Sequence, residues 1–186
     1  MMKPIYLASQ SPRRRELLAQ LGVEFEQFSV DADERPLNGE SALALAERLA
    51  RLKAETGVAL GYHDRPVLGS DTVVVCDGQI MGKPRDFDDF AGMMGQLSGR
   101  SHEVLTAVAL ADTEHTRSVV VRTQVTFKQL SEAEIAAYWH SGEPHDKAGG
   151  YGIQGRAGAF VTHLSGSYFA VMGLPLYETQ KLLAEF

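Results

Sequence analysis

The sequence predicts a domain built of both strands and helices, and three observations carry that prediction. Strand-like and helix-like segments alternate along all 186 residues. Near the N-terminus, Ile5-Tyr6-Leu7 runs straight into a helix start at Ser11-Pro12, the strand-to-helix turn of an α/β unit. Farther on, the Asp77-Gly78 hairpin turn and two long strand-like segments, Glu103 to Ala111 and Ser118 to Leu130, add antiparallel pairs. The length fits one domain with a full core, or two small lobes sharing a sheet.

In the first helix, Ser11 is a good N-cap, Pro12 suits the first helical position, and Gly22 should end the element. Its free N–H groups and positive dipole end lie beside Ser9, Ser11, Arg13, Arg14 and Arg15, a combination suited to holding an anion, phosphate above all. Cations in a first turn oppose the helix dipole, so stability alone does not account for them; a solvated surface helix is the alternative. Val23 to Val30 alternates weakly and reads as a second strand, leading into the acidic loop Asp31-Ala32-Asp33-Glu34-Arg35-Pro36. Its carboxylates are either solvated loop charge, the commoner case, or oxygen ligands for a hard cation.

Ser41 opens a helix to about Thr56, closed by Gly57, with Ala42, Leu45, Ala46, Leu49 and Leu52 on one side. Lys53 shares that stripe, so its stem lies along the buried face. Its ammonium then emerges either at the helix edge or in a phosphate cleft. Val67 to Cys76 reads as a central strand interrupted by Gly69-Ser70-Asp71-Thr72. A carboxylate in such a strand is costly unless paired or metal-bound, which makes Asp71 a functional candidate; an aspartate satisfying local N–H groups at a bulge is the alternative.

The hairpin leads through Gln79-Ile80-Met81 to Gly82-Lys83-Pro84, where the proline keeps Lys83 extended. Asp86 caps a helix to about Leu97, ended by Ser98-Gly99, and Ser131 with Glu134 forms a capping box for a short helix carrying Ile135, Tyr138 and Trp139. The stretch from Asp146 to Gly158 holds five glycines in thirteen residues, which marks a ligand-approach loop or, failing that, a plain one. Within it, the Gln154 amide can donate and accept and so suits one edge of a base. Strands Ala159 to Leu164 and Tyr168 to Val171 are expected around Ser165-Gly166-Ser167, and Leu174-Pro175 starts a last helix through about Glu185.

Composition narrows the function classes. A net charge of -6 argues against broad nucleic-acid affinity, so any phosphate site must be local. The single Cys76 sits in an apolar run and allows no disulfide framework, and the six histidines lack structural-zinc spacing. Neither a signal peptide nor a membrane span is expected, and the protein should be soluble and cytoplasmic. What remains is a complementary set. Arg13, Arg14, Lys53 and Lys83 are cations for phosphate oxygens, Glu34 and Asp71 are carboxylates for magnesium and water, and Gln154 is a reader of a base. A nucleoside triphosphate hydrolase needs those functions; without a Walker loop, an ATP-driven motor is improbable.

Leu7-Ala8-Ser9-x-Ser11-Pro12-Arg13-Arg14, Asp33-Glu34, Lys53-Ala54, Gly69-Ser70-Asp71-Thr72, Gly82-Lys83-Pro84, Leu97-Ser98-Gly99, Ala148-Gly149-x-Tyr151-Gly152-Ile153-Gln154-Gly155 and Gly173-Leu174-Pro175 together resemble the Maf family over nearly the whole chain. The resemblance implies a pyrophosphatase that cuts nucleoside triphosphates between the α- and β-phosphates. It also implies an inosine-triphosphatase-like mixed α/β fold, with an elongated twisted sheet and two lobes flanking a cleft. A divalent cation (Mg2+ or Mn2+), a homodimer and a cytoplasmic location come with it. By matching motif, Asp71 becomes the proton acceptor, Glu34 with Asp71 the metal ligands, and Ser9, Arg13, Arg14, Lys53 and Lys83 the phosphate binders. Arg13, Thr72 and Gln154 become the determinants of base preference, resembling the branch acting on dTTP and UTP, with 5-methyl-UTP as a modified candidate. Gln10 and Gly150 depart from the pattern and bear only on fine preference. Two alternatives stand beside this expectation: a 7-methyl-GTP pyrophosphatase, and a non-hydrolytic nucleotide sensor acting on septum formation in cell division.

Overall fold

The computed structural model describes residues 2–186. Strand β1 (Ile5–Ala8) is buried throughout and leads into α1 (Pro12–Gln20), where the Ser11 hydroxyl accepts from the Arg14 amide and closes the first turn. Strand β2 (Phe25–Phe28) returns parallel to β1, and α2 (Ala42–Ala59) follows the acidic loop. The hairpin β3 (Val67–Cys76) and β4 (Gln79–Met81) precedes α3 (Phe87–Leu97), and β5 (Ser101–Ala111) pairs along its whole length with β6 (Thr116–Phe127). After α4 (Glu132–His140) come three short 3-10 turns, then β7 (Val161–Ser165), α5 (Tyr168–Met172) and α6 (Leu176–Ala184).

The seven strands form one mixed sheet in the order β2-β1-β3-β5-β6-β7, with β4 on β3. The register of β3 is what opens a gap in the sheet. One edge of β3 is paired with β5 from Val67 to Val75. The other edge carries β1 at Val67 and Leu68 and β4 at Val74 to Cys76. Between these two partners the sheet forks, and Gly69 to Val73 face the gap. The Gly-Ser-Asp-Thr interruption therefore lies in that gap.

Alternation along β3 and β5 separates two cores. On one face Val73, Leu105, Ala107, Ala109 and Ala111 pack under Leu45, Ala46, Leu49, Ala50 and Ala54 of α2. On the other, Leu68, Val74, Val104, Val108 and Leu110 join the larger core with Phe90, Met94 and Leu174. Small residues let α2 sit close to the sheet. A Cβ at Gly69 would lie 2.4 Å from the Ala50 carbonyl and 2.7 Å from the Ala54 nitrogen, so this strand position has room only for hydrogen.

Several boundaries differ from those the sequence predicts. Gly57 does not close α2; the helix continues to Ala59, and Gly57 is small because a Cβ there would meet Phe28 at 2.7 Å and Val67 at 2.8 Å. Tyr168 to Val171 is not a strand. Ser167 accepts from the Ala170 amide and nucleates the short helix α5, which Gly173 ends at φ 132°. The segment expected as a strand from Ala159 begins as a 3-10 turn through Phe160, and the strand runs over Val161–Ser165. Strand β2 covers only the middle of the predicted span, while β6 starts and ends earlier than expected, over Thr116–Phe127.

Candidate active site

A cavity of about 700 Å³ occupies the fork. Its walls include Ser9, Arg13, Arg14, Glu34, Lys53, Asp71, Thr72, Lys83 and Gln154, so the structure gathers all nine sequence-derived candidates around one space. They arrive from separate elements: the β1–α1 turn, the first turn of α1, the acidic loop, α2, the fork of β3, the segment after β4 and the glycine-rich loop.

Asp71 is 8% exposed and points to the α2 face of the sheet. Lys53 reaches along that face and places its ammonium 3.1 Å from Asp71 Oδ1 and 2.7 Å from Glu34 Oε1, bridging the two carboxylates. Of the two destinations the sequence left open for this ammonium, it takes the cleft. Burial pushes the Asp71 carboxyl above its ordinary range, opposed by the positive charges of Lys53 and Arg14. Burial also acts to raise Glu34, but the hydrogen bond and charge of Lys53, with Lys83 and Arg14 farther off, outweigh it and hold Glu34 below its usual value.

On the opposite face of β3, Arg14 is fixed from two sides. Its Nε donates to the Gly173 carbonyl at 2.8 Å, and Nη2 donates to Thr72 Oγ1 at 3.2 Å. Burial lowers the Arg14 pKa from its ordinary value, and the Asp71 charge works against that. The Ser9 hydroxyl accepts from the Ser11 amide at 3.2 Å, which pins the turn before α1. Arg13 is half-buried and Lys83 exposed. Gln154 is exposed with Nε2 3.4 Å from Glu16 Oε2, so its amide is held near α1 across the cleft mouth. Arg15 bonds Gln27 at the surface, and Asp33 closes on Arg35; neither lines the cavity.

Among the described residues no three His, Cys, Asp or Glu side chains converge as a cation site. Glu34 and Asp71 offer two carboxylates, both engaged by Lys53, while Asp146 of the cavity wall is paired with Lys147. Magnesium is commonly held by one or two carboxylates with waters and phosphate oxygens completing the shell. The pair therefore fits a cation that comes with a triphosphate, and does not fit an ion held by protein alone.

Some contributors escape the sequence reading. Ser70 is fully buried and its hydroxyl contacts both the Ala107 carbonyl at 2.8 Å and the Gly173 carbonyl at 3.0 Å, tying the fork to the turn after α5. Lys147 lines the cavity with its ammonium on the Glu143 carbonyl and Asp146. The glycine-rich loop is held by Glu143, which accepts from Tyr138 Oη at 3.1 Å and from the Arg156 amide at 3.1 Å, while Tyr138 Oη accepts from the Gly152 amide. The density of glycines marked this loop; nothing in the sequence marked its clamp.

Comparison with known proteins places this geometry in a family. The Maf-like protein family model matches residues 4–186. A protein of Pseudoalteromonas translucida (strain TAC 125) named dTTP/UTP pyrophosphatase is 66% identical over 186 residues, covering 100% of this chain and 98% of that one. A Vibrio vulnificus (strain YJ016) protein of the same name is 54% identical over 185 residues, with 100% of both chains covered. A Shigella flexneri protein named nucleoside triphosphate pyrophosphatase is 53% identical over 185 residues, with 100% of this chain and 94% of that one covered. Among solved structures, a HAM1 protein from Coxiella burnetii aligns over 100% of both chains with a TM-score of 0.54 at 16% identity, a likeness of fold. With the family model matched over nearly its whole length and relatives of more than half identity sharing its full extent, the chain belongs to the Maf family.

Proposed function

We propose that the chain hydrolyses dTTP and UTP, together with modified pyrimidine nucleotides such as 5-methyl-UTP, to the nucleoside monophosphate and pyrophosphate. The observation that carries this reading is the buried Asp71 held beside Lys53 and Glu34 in a cleft ringed by Arg13, Arg14 and Lys83. The names of the relatives supply the substrate class.

The chemistry follows from the environment of each group. Asp71 accepts a proton from water as the water oxygen bonds to the α-phosphorus; the bond from that phosphorus to the α,β-bridging oxygen breaks, and the electron pair leaves on pyrophosphate. Burial makes Asp71 a stronger base than an exposed carboxylate, while Lys53 keeps it ionised and aimed. Arg13, Arg14, Lys53 and Lys83 neutralise charge that builds on the phosphate oxygens, in a cleft where water screens them less than in bulk. The Ser9 turn and the positive end of α1, where the Ser11 and Arg14 amides are already taken by hydroxyls, hold the phosphate chain through the Arg13 amide and the side chains around it. A divalent cation, Mg2+ or Mn2+, held by Glu34 and Asp71, would add further neutralisation of the triphosphate. Gln154 and Thr72 face the base.

The test is to incubate the protein with magnesium and UTP or dTTP and identify the products. Monophosphate with pyrophosphate is expected; diphosphate with orthophosphate would overturn the assignment.

A further inference from the structure

Behind the cleft wall, a line of hydrogen bonds fixes the direction in which one hydroxyl points. Thr72 of β3 and Thr106 of β5 are direct cross-strand partners, on the sheet face away from Asp71. Thr72 is half-buried and lines the cavity, whereas Thr106 is fully buried. Thr106 Oγ1 lies 2.6 Å from the Ala170 carbonyl oxygen and 3.0 Å from Thr72 Oγ1. Arg14 Nη2 lies 3.2 Å from Thr72 Oγ1.

A threonine hydroxyl has one proton and two lone pairs. The Ala170 carbonyl has no proton to give, so the contact of 2.6 Å commits the proton of Thr106 to it. The contact between the two hydroxyls must then use the proton of Thr72. A guanidinium only donates, so Arg14 fills one lone pair of Thr72. Toward the cleft, Thr72 has one lone pair left and no proton.

We propose that Thr106 is a positioning residue for base selectivity. It locks the Thr72 hydroxyl as a hydrogen-bond acceptor, so that the cleft takes uracil and thymine, whose N3 carries a hydrogen, and rejects cytosine, whose N3 presents a lone pair. The inference rests on the pyrimidine triphosphate reading above. It differs from a general role for Thr72 in placing the decision one residue behind the surface, in the proton accounting of a buried threonine. Two facing lone pairs leave both groups unsatisfied, and a site built around one hydrogen bond rejects the analogue that cannot complete it.

The test compares kcat/KM for UTP and CTP in the unaltered protein, Thr106→Val and Thr106→Ser. Valine keeps the shape and removes the acceptor for the Thr72 proton, which is then free to turn toward the cleft. The Ala170 carbonyl still accepts from the Gly173 amide at 3.0 Å, so it is not orphaned. The UTP/CTP ratio should fall about tenfold in Thr106→Val and stay near the parent value in Thr106→Ser. A ratio within about twofold of the parent in folded Thr106→Val, or an equal fall in Thr106→Ser, would overturn the proposal, since loosened packing would not single out the base. If Thr106→Val is not recovered folded, N3-methyl-UTP with the unaltered protein decides: its kcat/KM should lie at least about tenfold below that of UTP, and equality would overturn the proposal. Failure of the unaltered protein to cut UTP at all would overturn the functional reading and this inference together, whereas cutting without discrimination overturns this inference alone.

Discussion

Replacing Lys53 by methionine should move the acidic limb of the pH–rate profile toward higher pH. In the native cleft the ammonium stands 3.1 Å from Asp71 and 2.7 Å from Glu34, and it is the largest influence lowering an Asp71 pKa that burial raises. Methionine preserves the stem against α2 and the sheet while leaving two carboxylates without their shared cation. Loss of an opposite charge at such range raises a carboxyl pKa by about 1 to 3 units, worth roughly 1.4 to 4 kcal/mol between the protonation states. The remaining pull of Arg14 places the effect toward the lower end of that range. As proton acceptor, Asp71 works only when ionised, so activity should be recovered at higher pH in Lys53→Met than in the parent. The assay is kcat/KM for UTP from about pH 5 to 9, read for the position of the limb as well as its height. A lower plateau with an unmoved limb would refute the electrostatic part of the reasoning and leave Lys53 as a phosphate contact only.

Three further outcomes follow from the same geometry. Asp71→Asn should abolish most turnover yet raise the melting temperature at pH 8: the folded pKa of Asp71 lies above its unfolded value, so its stability penalty sets in as pH rises through the unfolded value and is complete above the folded one. The gain should vanish in acid, and a variant that melts lower than the parent at pH 8 would contradict it. Gly69→Ala should destabilise by about 1 to 3 kcal/mol, because the new methyl meets the backbone of α2 at 2.4 Å and 2.7 Å, neither of which can swing aside; chemical denaturation measures this, and turnover should fall as Lys53 is pushed from Asp71. Gly155→Ala would put a Cβ 1.9 Å from Glu143 Oε1 and break the clamp on the glycine-rich loop, so KM for UTP should rise more than kcat falls, which steady-state kinetics would show.

Much of this was legible in the sequence because the residues involved violate a local rule. Asp71 stands out as a carboxylate inside a run of strand-forming apolar residues, and burial at 8% exposure agrees with the cost that made it conspicuous. The arginines beside Ser11 stand out because they oppose the helix dipole. Lys53 could be placed on the buried stripe of α2 by counting, although only the structure shows which way its ammonium leaves. The misread elements break no rule. Tyr168, Phe169 and Val171 are good strand formers, and the capture of this segment as a helix is decided by Ser167 before it and Gly173 after it. Gly57 resembles a helix stop, but its real neighbours, Phe28 and Val67, come from two other strands. Thr106 was invisible for the same reason. A threonine in a strand is ordinary, and its significance depends on Thr72, 34 residues earlier, and on a carbonyl 64 residues later. Long-range register, more than local propensity, is what the sequence conceals.

In the proposed reaction, water held by Asp71 attacks the α-phosphorus. Hydrolysis of UTP in 18O-labelled water, with both products weighed by mass spectrometry, tests it most directly. One labelled oxygen in UMP and none in pyrophosphate is the predicted result. Label in pyrophosphate, or release of UDP with labelled orthophosphate, would place the attack on another phosphorus and rule this reaction out.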